Sequence, residues 1–171
     1  MEKTVSLRPT AEADLDFVLA QEQSPNNRPY IRQWSVDEHR ARLLDPDWAH
    51  LVIESEGEAV GYVILHGLRN SDDSLCLKRI VVARKGEGFG RRAVQQVKRF
   101  AFDRVGSHRL WLEVKDFNTA ARHLYRSEGF VAEGIMRESA RIGERYDSLI
   151  VMSILEQEYR PPTAADCTDT L

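Results

Sequence analysis

The residues with the most chemical meaning in this 171-residue chain begin at Lys85-Gly86-Glu87-Gly88-Phe89-Gly90. This glycine-rich loop lies between the apolar run Ile80-Val81-Val82 and a segment of helical periodicity that starts at Gly90. The first amides of a helix have no partner inside it, so they face outward together with the positive end of the helix dipole and suit an anion. Glycines let the backbone close around a pyrophosphate and adopt positive φ without a Cβ clash. The same glycines also suit an ordinary turn. The loop lacks the Gly-Lys-Ser or Gly-Lys-Thr ending of a Walker A sequence, and its Gly-x-Gly-x-Gly spacing in mid-chain departs from the dinucleotide fingerprint.

Two further stretches hold reactive types. In Trp111-Leu112-Glu113-Val114-Lys115, strand alternation puts Leu112 and Val114 on one face and Trp111, Glu113 and Lys115 on the other. Glu113 then either serves a proton transfer or faces solvent paired with Lys115 or Arg109. Twelve residues later comes Tyr125, in the run Asn118 to Phe130. Its bland role is a helix residue packed on a sheet with its hydroxyl satisfied nearby. His66, His108 and His123 are scattered, and neither a His-x-x-x-His pair nor a carboxylate cluster suggests a metal. Cys76 reads as a buried strand residue, and Cys76 and Cys167 lack the spacing of a metal site or a disulfide framework.

These residues need a scaffold, and the chain alternates accordingly. Val5 to Arg8 reads as a short strand, and about Ala11 to Gln21 as a helix with Leu15, Val18 and Leu19 inward. The Ser24 to Pro29 segment breaks the pattern before Tyr30, Ile31 and Trp34, which either cap the core or line a substrate pocket. Ser35-Val36-Asp37-Glu38 is a capping box for a helix to about Leu44. Strands follow over 49–54 and 59–67, joined by Ser55-Glu56-Gly57-Glu58, and then over 74–82. A helix to Val105 closed by Gly106, a strand over 108–114, a helix over 118–127 with Gly129 at its end, and strands from Phe130 and over 146–155 complete the order. A mixed sheet covered by helices is expected. One domain over residues 1–157 and a flexible tail over 158–171, marked by Pro161-Pro162, fit this length.

The loop and the second stretch together resemble one family. Lys85, Gly88 and Gly90 match the coenzyme A loop of GNAT acetyltransferases, with Lys85 where Arg or Gln is usual. Asn118-Thr119-Ala120-Ala121-Arg122-His123-Leu124-Tyr125 followed by Gly129-Phe130 is similar to the family's Asn-x-x-Ala-x-x-Leu-Tyr and Gly-Phe segment. The resemblance spans Val5 to Met152 and, with Gly134, Arg137 and the run Trp111 to Val114, looks closest to the ribosomal-protein serine and alanine acetyltransferase branch. It implies an α/β (α+β) GNAT fold, a twisted, mostly antiparallel mixed sheet of about seven strands flanked by about four helices.

The resemblance also implies acetyl transfer from acetyl-CoA to a primary amine, either a protein N-terminal α-amine or a small-molecule amine. Its cofactor-binding residues would be Ile80, Val81, Val82, Lys85, Gly86, Glu87, Gly88, Phe89, Gly90, Arg91, Asn118 and Tyr125. Amides around Ile80 to Val82 would receive the acetyl oxygen. Tyr125 would give a proton to the leaving thiolate and Glu113 would accept one from the amine, with Tyr30 and Trp34 shaping the acceptor pocket. No Cys–His or Ser–His pair is evident, which favours direct transfer over an acetyl-enzyme.

Composition bounds the rivals. An apolar fraction of 42% and a charged fraction of 30% suit a globular protein. The net charge is −3, yet residues 78–109 hold ten Lys or Arg against Glu87 and Asp103. Such a basic segment attracts a phosphate-rich cofactor or a nucleic acid. The sequence pI near 6.0 and the lack of a basic stripe interleaved with aromatics weigh against nucleic acid. No signal peptide or membrane span is expected and a reducing cytoplasm suits two cysteines, while a homodimer remains admissible. A non-catalytic acyl-CoA sensor is the main alternative; it would need the loop and Asn118 but neither Tyr125 nor Glu113.

Overall fold

The computed structural model describes residues 4–160, so Cys167 and residues 161–171 of the expected tail lie outside the described residues. Strand β1 is Ser6–Pro9, β2 Trp48–Ser55, β3 Glu58–His66, β4 Ser74–Val82, β5 Arg109–Lys115, β6 Val131–Ile142 and β7 Arg145–Leu155. They form one sheet in the order β1-β2-β3-β4-β5-β7-β6, antiparallel throughout except for the central β4–β5 pair. The helices are α1 Leu15–Gln23, α2 Val36–Leu44, α3 Phe89–Arg99, α4 Thr119–Ser127 and the short α5 Glu156–Tyr159.

Local chemistry explains most of these boundaries. Glu56 and Gly57 both have positive φ, 53° and 80°, the backbone that lets a two-residue turn join twisted strands. At α2 the Ser35 hydroxyl accepts from the Glu38 amide at 3.2 Å and the Glu38 carboxylate accepts from the Ser35 amide at 2.7 Å, closing the expected capping box. α1 starts later than its apolar spacing suggests, because residues Glu12–Asp14 form a 3-10 turn held by the Asp14 carboxylate, which accepts from the Ala11 amide and from Arg8. α3 runs on into a π-helical turn over Phe100–Val105 and ends at Gly106 with φ 75°. The chain stays folded through Arg160: Tyr159 stacks on Phe102 with ring centroids 4.8 Å apart, and Tyr159 and Arg160 both donate to Asp103.

Two apolar layers flank the sheet. On one face Val63, Leu65, Leu75, Leu77, Leu110, Leu112 and Val114 pack with Ala93, Val94 and Val97 of α3 and Tyr125 of α4. On the other, Val18 of α1 packs with Tyr62, Ile64 and Val81, and Trp34 and Trp48 close that layer. A bulge in β4 changes which residues serve which layer. Leu65 pairs with Leu77 and Ile64 with Arg79, so Lys78 is the extra residue; Leu75 and Leu77 before it and Ile80 and Val82 after it all meet the α3 layer.

The site arises just beyond this bulge. β4 pairs with β5 from Ser74–Arg109 to Leu77–Leu112 and no further, whereas β5 continues along β7 as far as Lys115–Leu149. From Lys78 onward β4 therefore keeps β3 but has left β5, and the two central strands part. Gly61 lets β3 follow β4 here, since a Cβ at that position would lie 2.2 Å from the Val81 carbonyl oxygen.

Candidate active site

The opening between β4 and β5 leads into a cleft of about 380 Å³. Ile80, Val81 and Val82 form one wall, Lys85, Gly86, Gly88, Phe89, Gly90 and Arg91 an end, and Asn118 and Tyr125 the opposite wall. Residues more than thirty apart in sequence thus meet in one cavity as expected. Gly88 caps α3 with φ 79° and Gly86 has φ 84°, so both use the left-handed backbone that glycine permits. The cap leaves the leading amides of α3 facing the cleft with the positive end of the helix, a cradle fit for phosphate. Gly90 lies against α4, where a Cβ would touch Leu124 Cδ2 at 3.4 Å, so the two helices that form the cleft approach closely.

Asn118 caps α4, accepting from the Ala121 amide through its side-chain oxygen at 3.3 Å. That bond fixes the side chain at the cleft wall. Tyr125 is 7% exposed, its ring packs on Phe130 at 5.7 Å, and its hydroxyl has no hydrogen-bond partner among the described residues. Burial alone raises its pKa, so the phenol keeps its proton. An unengaged, protonated phenol in an apolar cleft is a ready acid for an anionic leaving group.

Several expected residues stand elsewhere. Glu87 belongs to the loop but does not line the cleft. Trp34 does not reach it either: its ring lies under Arg79 at 4.3 Å, edge-on to Trp48 at 6.0 Å, and serves the second apolar layer. Tyr30 does line the cleft together with Ile31, the pocket-lining alternative for both, and beside them stands Asn27, which nothing in the sequence singles out. Lys85 is engaged within the protein, donating to the Asn26 carbonyl at 2.7 Å and sitting over the Tyr30 ring at 5.3 Å, and desolvation lowers its pKa. Ala121 and Leu124 also line the cavity; their spacing from Asn118 and Tyr125 puts all four on one helix face, a signal present in the sequence.

Glu113 is exposed, on the sheet face opposite the Leu112, Val114 and Tyr125 layer, one residue past the last β4–β5 pair. It is not salt-bridged to the partners first weighed for it: Lys115 holds Asp147 at 2.8 Å and Arg109 holds Glu133 at 2.8 Å. The structure thus leaves Glu113 open at the fork, without bringing it into the cavity that holds Tyr125.

The basic segment is largely consumed inside the fold. Glu128, 7% exposed, accepts from Arg91 at 2.9 Å and Lys98 at 3.0 Å, tying α3 to the end of α4. Arg79 is buried against Glu22, a 1%-exposed carboxylate that the helical pattern of α1 gave no reason to single out. Glu22 also accepts from the Tyr62 hydroxyl at 2.8 Å and the Trp34 amide at 2.9 Å, and lies 3.1 Å from His39 Nε2. Burial pushes the Glu22 carboxyl up, but His39, the Arg79 charge, the Trp34 amide and Tyr62 together outweigh it and hold its pKa below the ordinary value. His39 Nδ1 meets His50 Nε2 at 3.0 Å, and His50 Nδ1 meets the Thr10 hydroxyl at 2.9 Å.

Comparison with known proteins agrees with this geometry. A family model described as "Acetyltransferase (GNAT) family" matches residues 15–130. Spermidine N(1)-acetyltransferase of Escherichia coli K12 is 27% identical over 167 residues, covering 91% of this chain and 88% of that protein. The enzyme of the same name from Vibrio cholerae serotype O1 is 28% identical, covering 93% and 97%. The crystal structure of a Vibrio cholerae spermidine N-acetyltransferase with CoA and spermine superposes with TM-score 0.82 at 27% identity, covering 92% and 98%, and a dodecameric form of that enzyme superposes at 0.78 with 27% identity, covering 93% and 99%.

Proposed function

Because the chain belongs to the GNAT acetyltransferase family, and so transfers an acetyl group from acetyl-CoA to an amine, we propose that its acceptor is a small-molecule primary amine and that Tyr125 is its catalytic acid. The observation that carries this reading is the meeting of the α3 N-terminus, Asn118 and the unengaged Tyr125 hydroxyl in one cleft where β4 leaves β5. The spermidine enzymes among its relatives support a small amine over a protein N-terminus, and turn the reading away from the ribosomal-protein branch.

In this reading the amides of Gly88, Phe89 and Gly90 receive the pyrophosphate, and Asn118 orients the pantetheine arm. The amine nitrogen attacks the acetyl carbonyl carbon, a C–N bond forms and the C–S bond breaks. β4 amides freed from β5 receive the carbonyl oxygen as it gains negative charge. Glu113 takes a proton from the bound ammonium through water, which frees the lone pair that attacks. Tyr125 gives its proton to the departing sulfur, the surplus proton on the new amide nitrogen passes to water, and exchange with solvent reprotonates Tyr125 and deprotonates Glu113. Direct attack fits the state of Cys76, whose thiol is buried and pushed up to about 12. The dodecameric neighbour supports self-association as part of the same reading.

The test is thiol release from acetyl-CoA with a panel of primary amines, each product identified by mass. Acetylation of small amines and none of peptide N-termini is expected; the opposite preference overturns the acceptor class.

A further inference from the structure

A second cavity, of about 540 Å³, opens beside the catalytic cleft, between the α1–α2 loop and the β6–β7 hairpin. Its wall carries five cationic residues: Arg28 and Arg32 from the loop, Lys115 from β5, and Arg141 and Arg145 from the hairpin. Ile31 lines both cavities, so the loop is the shared partition. Lys115 lies on the same strand face as Glu113, two residues beyond it, which sets this cavity on the side where the strands part.

The charge balance inside it is one-sided. Two carboxylates answer the cluster: Asp147 is already held by Lys115 at 2.8 Å and Arg145 at 2.9 Å, and Glu38 feels the charge of Arg32 while its carboxylate accepts from the Ser35 amide. Lys115 also donates to the Pro29 carbonyl at 3.0 Å, which anchors the loop over the cavity. Arg141 spends its Nε on the Gly143 carbonyl at 2.9 Å, and its guanidinium lies 5.9 Å from the Tyr146 ring centre. Arg28 and Arg32 make no side-chain hydrogen bond or ion pair with any described residue. Glu144 is in the hairpin turn but does not line the cavity. From Ser24 to Ser35 the loop contains no Asp or Glu at all.

This arrangement bears on which amine can be seated. A second ammonium brought within about 4 Å of one of these guanidiniums would be repelled as strongly as a carboxylate in its place would be attracted. Guanidinium forks match a carboxylate with two parallel hydrogen bonds. We propose that this cavity is an anion subsite for the acceptor, so that the amine acetylated by this chain carries a carboxylate and is not a polyamine. The proposal rests on the acetyl-transfer reading above and narrows its substrate class.

The test uses the full chain in two assays. Acetyl-CoA turnover is compared for lysine against cadaverine, 4-aminobutyrate against propylamine, and spermidine alone. Citrate is titrated calorimetrically into the CoA-loaded protein. The expected results are a kcat/KM about tenfold or more higher for the carboxylated member of a pair, and citrate binding at one site. Arg28→Ala/Arg32→Ala should remove both effects through the acceptor KM, leaving the acetyl-CoA KM alone, while Arg104→Ala, at an exposed arginine of the π-helical turn, changes neither. Preference for spermidine, failure of citrate to bind, or a loss that appears in the acetyl-CoA KM each overturns the proposal. Citrate binding that the double variant abolishes, without turnover of any amine, supports the anion subsite and counts against the small-amine acceptor reading instead.

Discussion

Tyr125 owes its chemistry to where its hydroxyl is left. A tyrosine on the buried face of a helix normally finds a partner for its O–H; this one faces a cleft with none among the described residues, and burial holds it in the acid form. Replacing it with phenylalanine removes one oxygen and leaves the packing on Phe130 intact. Tyr125→Phe should lower kcat by about 10²-fold or more, in line with the contribution of a positioned acid, with little change in the acetyl-CoA KM. Steady-state rates over a range of pH check this, and a variant as fast as the parent at every pH would remove Tyr125 from the mechanism. Glu113 differs in kind. It is exposed and reaches the reacting nitrogen only by way of solvent, so its replacement by glutamine is expected to act less severely than loss of the acid.

At the scale of elements, the site depends on β4 leaving β5 while staying with β3. The bulge at Lys78 re-aims the strand, and Gly61 on β3 accommodates the carbonyl of Val81 where any side chain would collide. The obstacle is backbone, which does not yield as a flexible side chain would. Gly61→Ala should therefore destabilise the fold by about 1–3 kcal/mol, as overpacking does, and widen the cleft wall at Ile80 to Val82. Denaturant unfolding measures the first effect and the acetyl-CoA KM the second. Much of this scale was legible in the sequence. The capping box at Ser35, the glycine turn at 56–57, the glycine loop ahead of α3 and the run that carries Asn118 and Tyr125 are written in contiguous residues, although the helix starts at Phe89, one residue earlier than its periodicity, with Gly88 as its cap. The bulge went unread, although Leu75 and Leu77 fall one residue out of phase with Ile80 and Val82 across Lys78-Arg79, because Val81 between two inward residues hides that slip in a strand apolar on both faces at its end. Trp34, for which capping the core and lining a pocket both stood open, takes the core for a reason distant in sequence: which side of the 24–35 loop faces the cleft is decided by Arg79, forty-five residues away.

Across the whole molecule, the layers are tied by a polar line that no local pattern announces. Thr10, His50, His39, Glu22, Tyr62 and Arg79 come from six different segments and meet beneath α1 and α2, linked by hydrogen bonds from Thr10 through His50 to His39 Nδ1 and from Tyr62 and Arg79 to Glu22, with His39 Nε2 lying 3.1 Å from that carboxylate. A buried Glu or His is expected only when partners exist, and partners this distant in sequence appear only once the chain is folded. The line makes stability depend on pH in a particular window. Desolvation, reinforced by the charges of His39 and Arg79 against the opposing fields of Glu22 and Asp14, depresses His50 from 6.5 to about 4. Between those values the unfolded chain binds a proton at this position that the folded chain refuses. The contribution is therefore complete above about pH 6.5 and is lost as pH falls toward 4, amounting to about 2 kcal/mol by pH 5. For a chain of this size that corresponds to a fall of about 4–8 °C in Tm between pH 7 and pH 5. The carboxylates with depressed values respond lower: Glu133, held near 2 by Arg109 and Ser153, keeps its contribution above 4.5 and loses it as pH falls from there toward 2. Calorimetry from pH 8 to pH 5 on the parent and on His50→Gln separates the two. The parent should lose stability across this interval while the variant, lower at neutral pH, stays nearly flat, and parallel curves would mean that His50 is not the group that titrates.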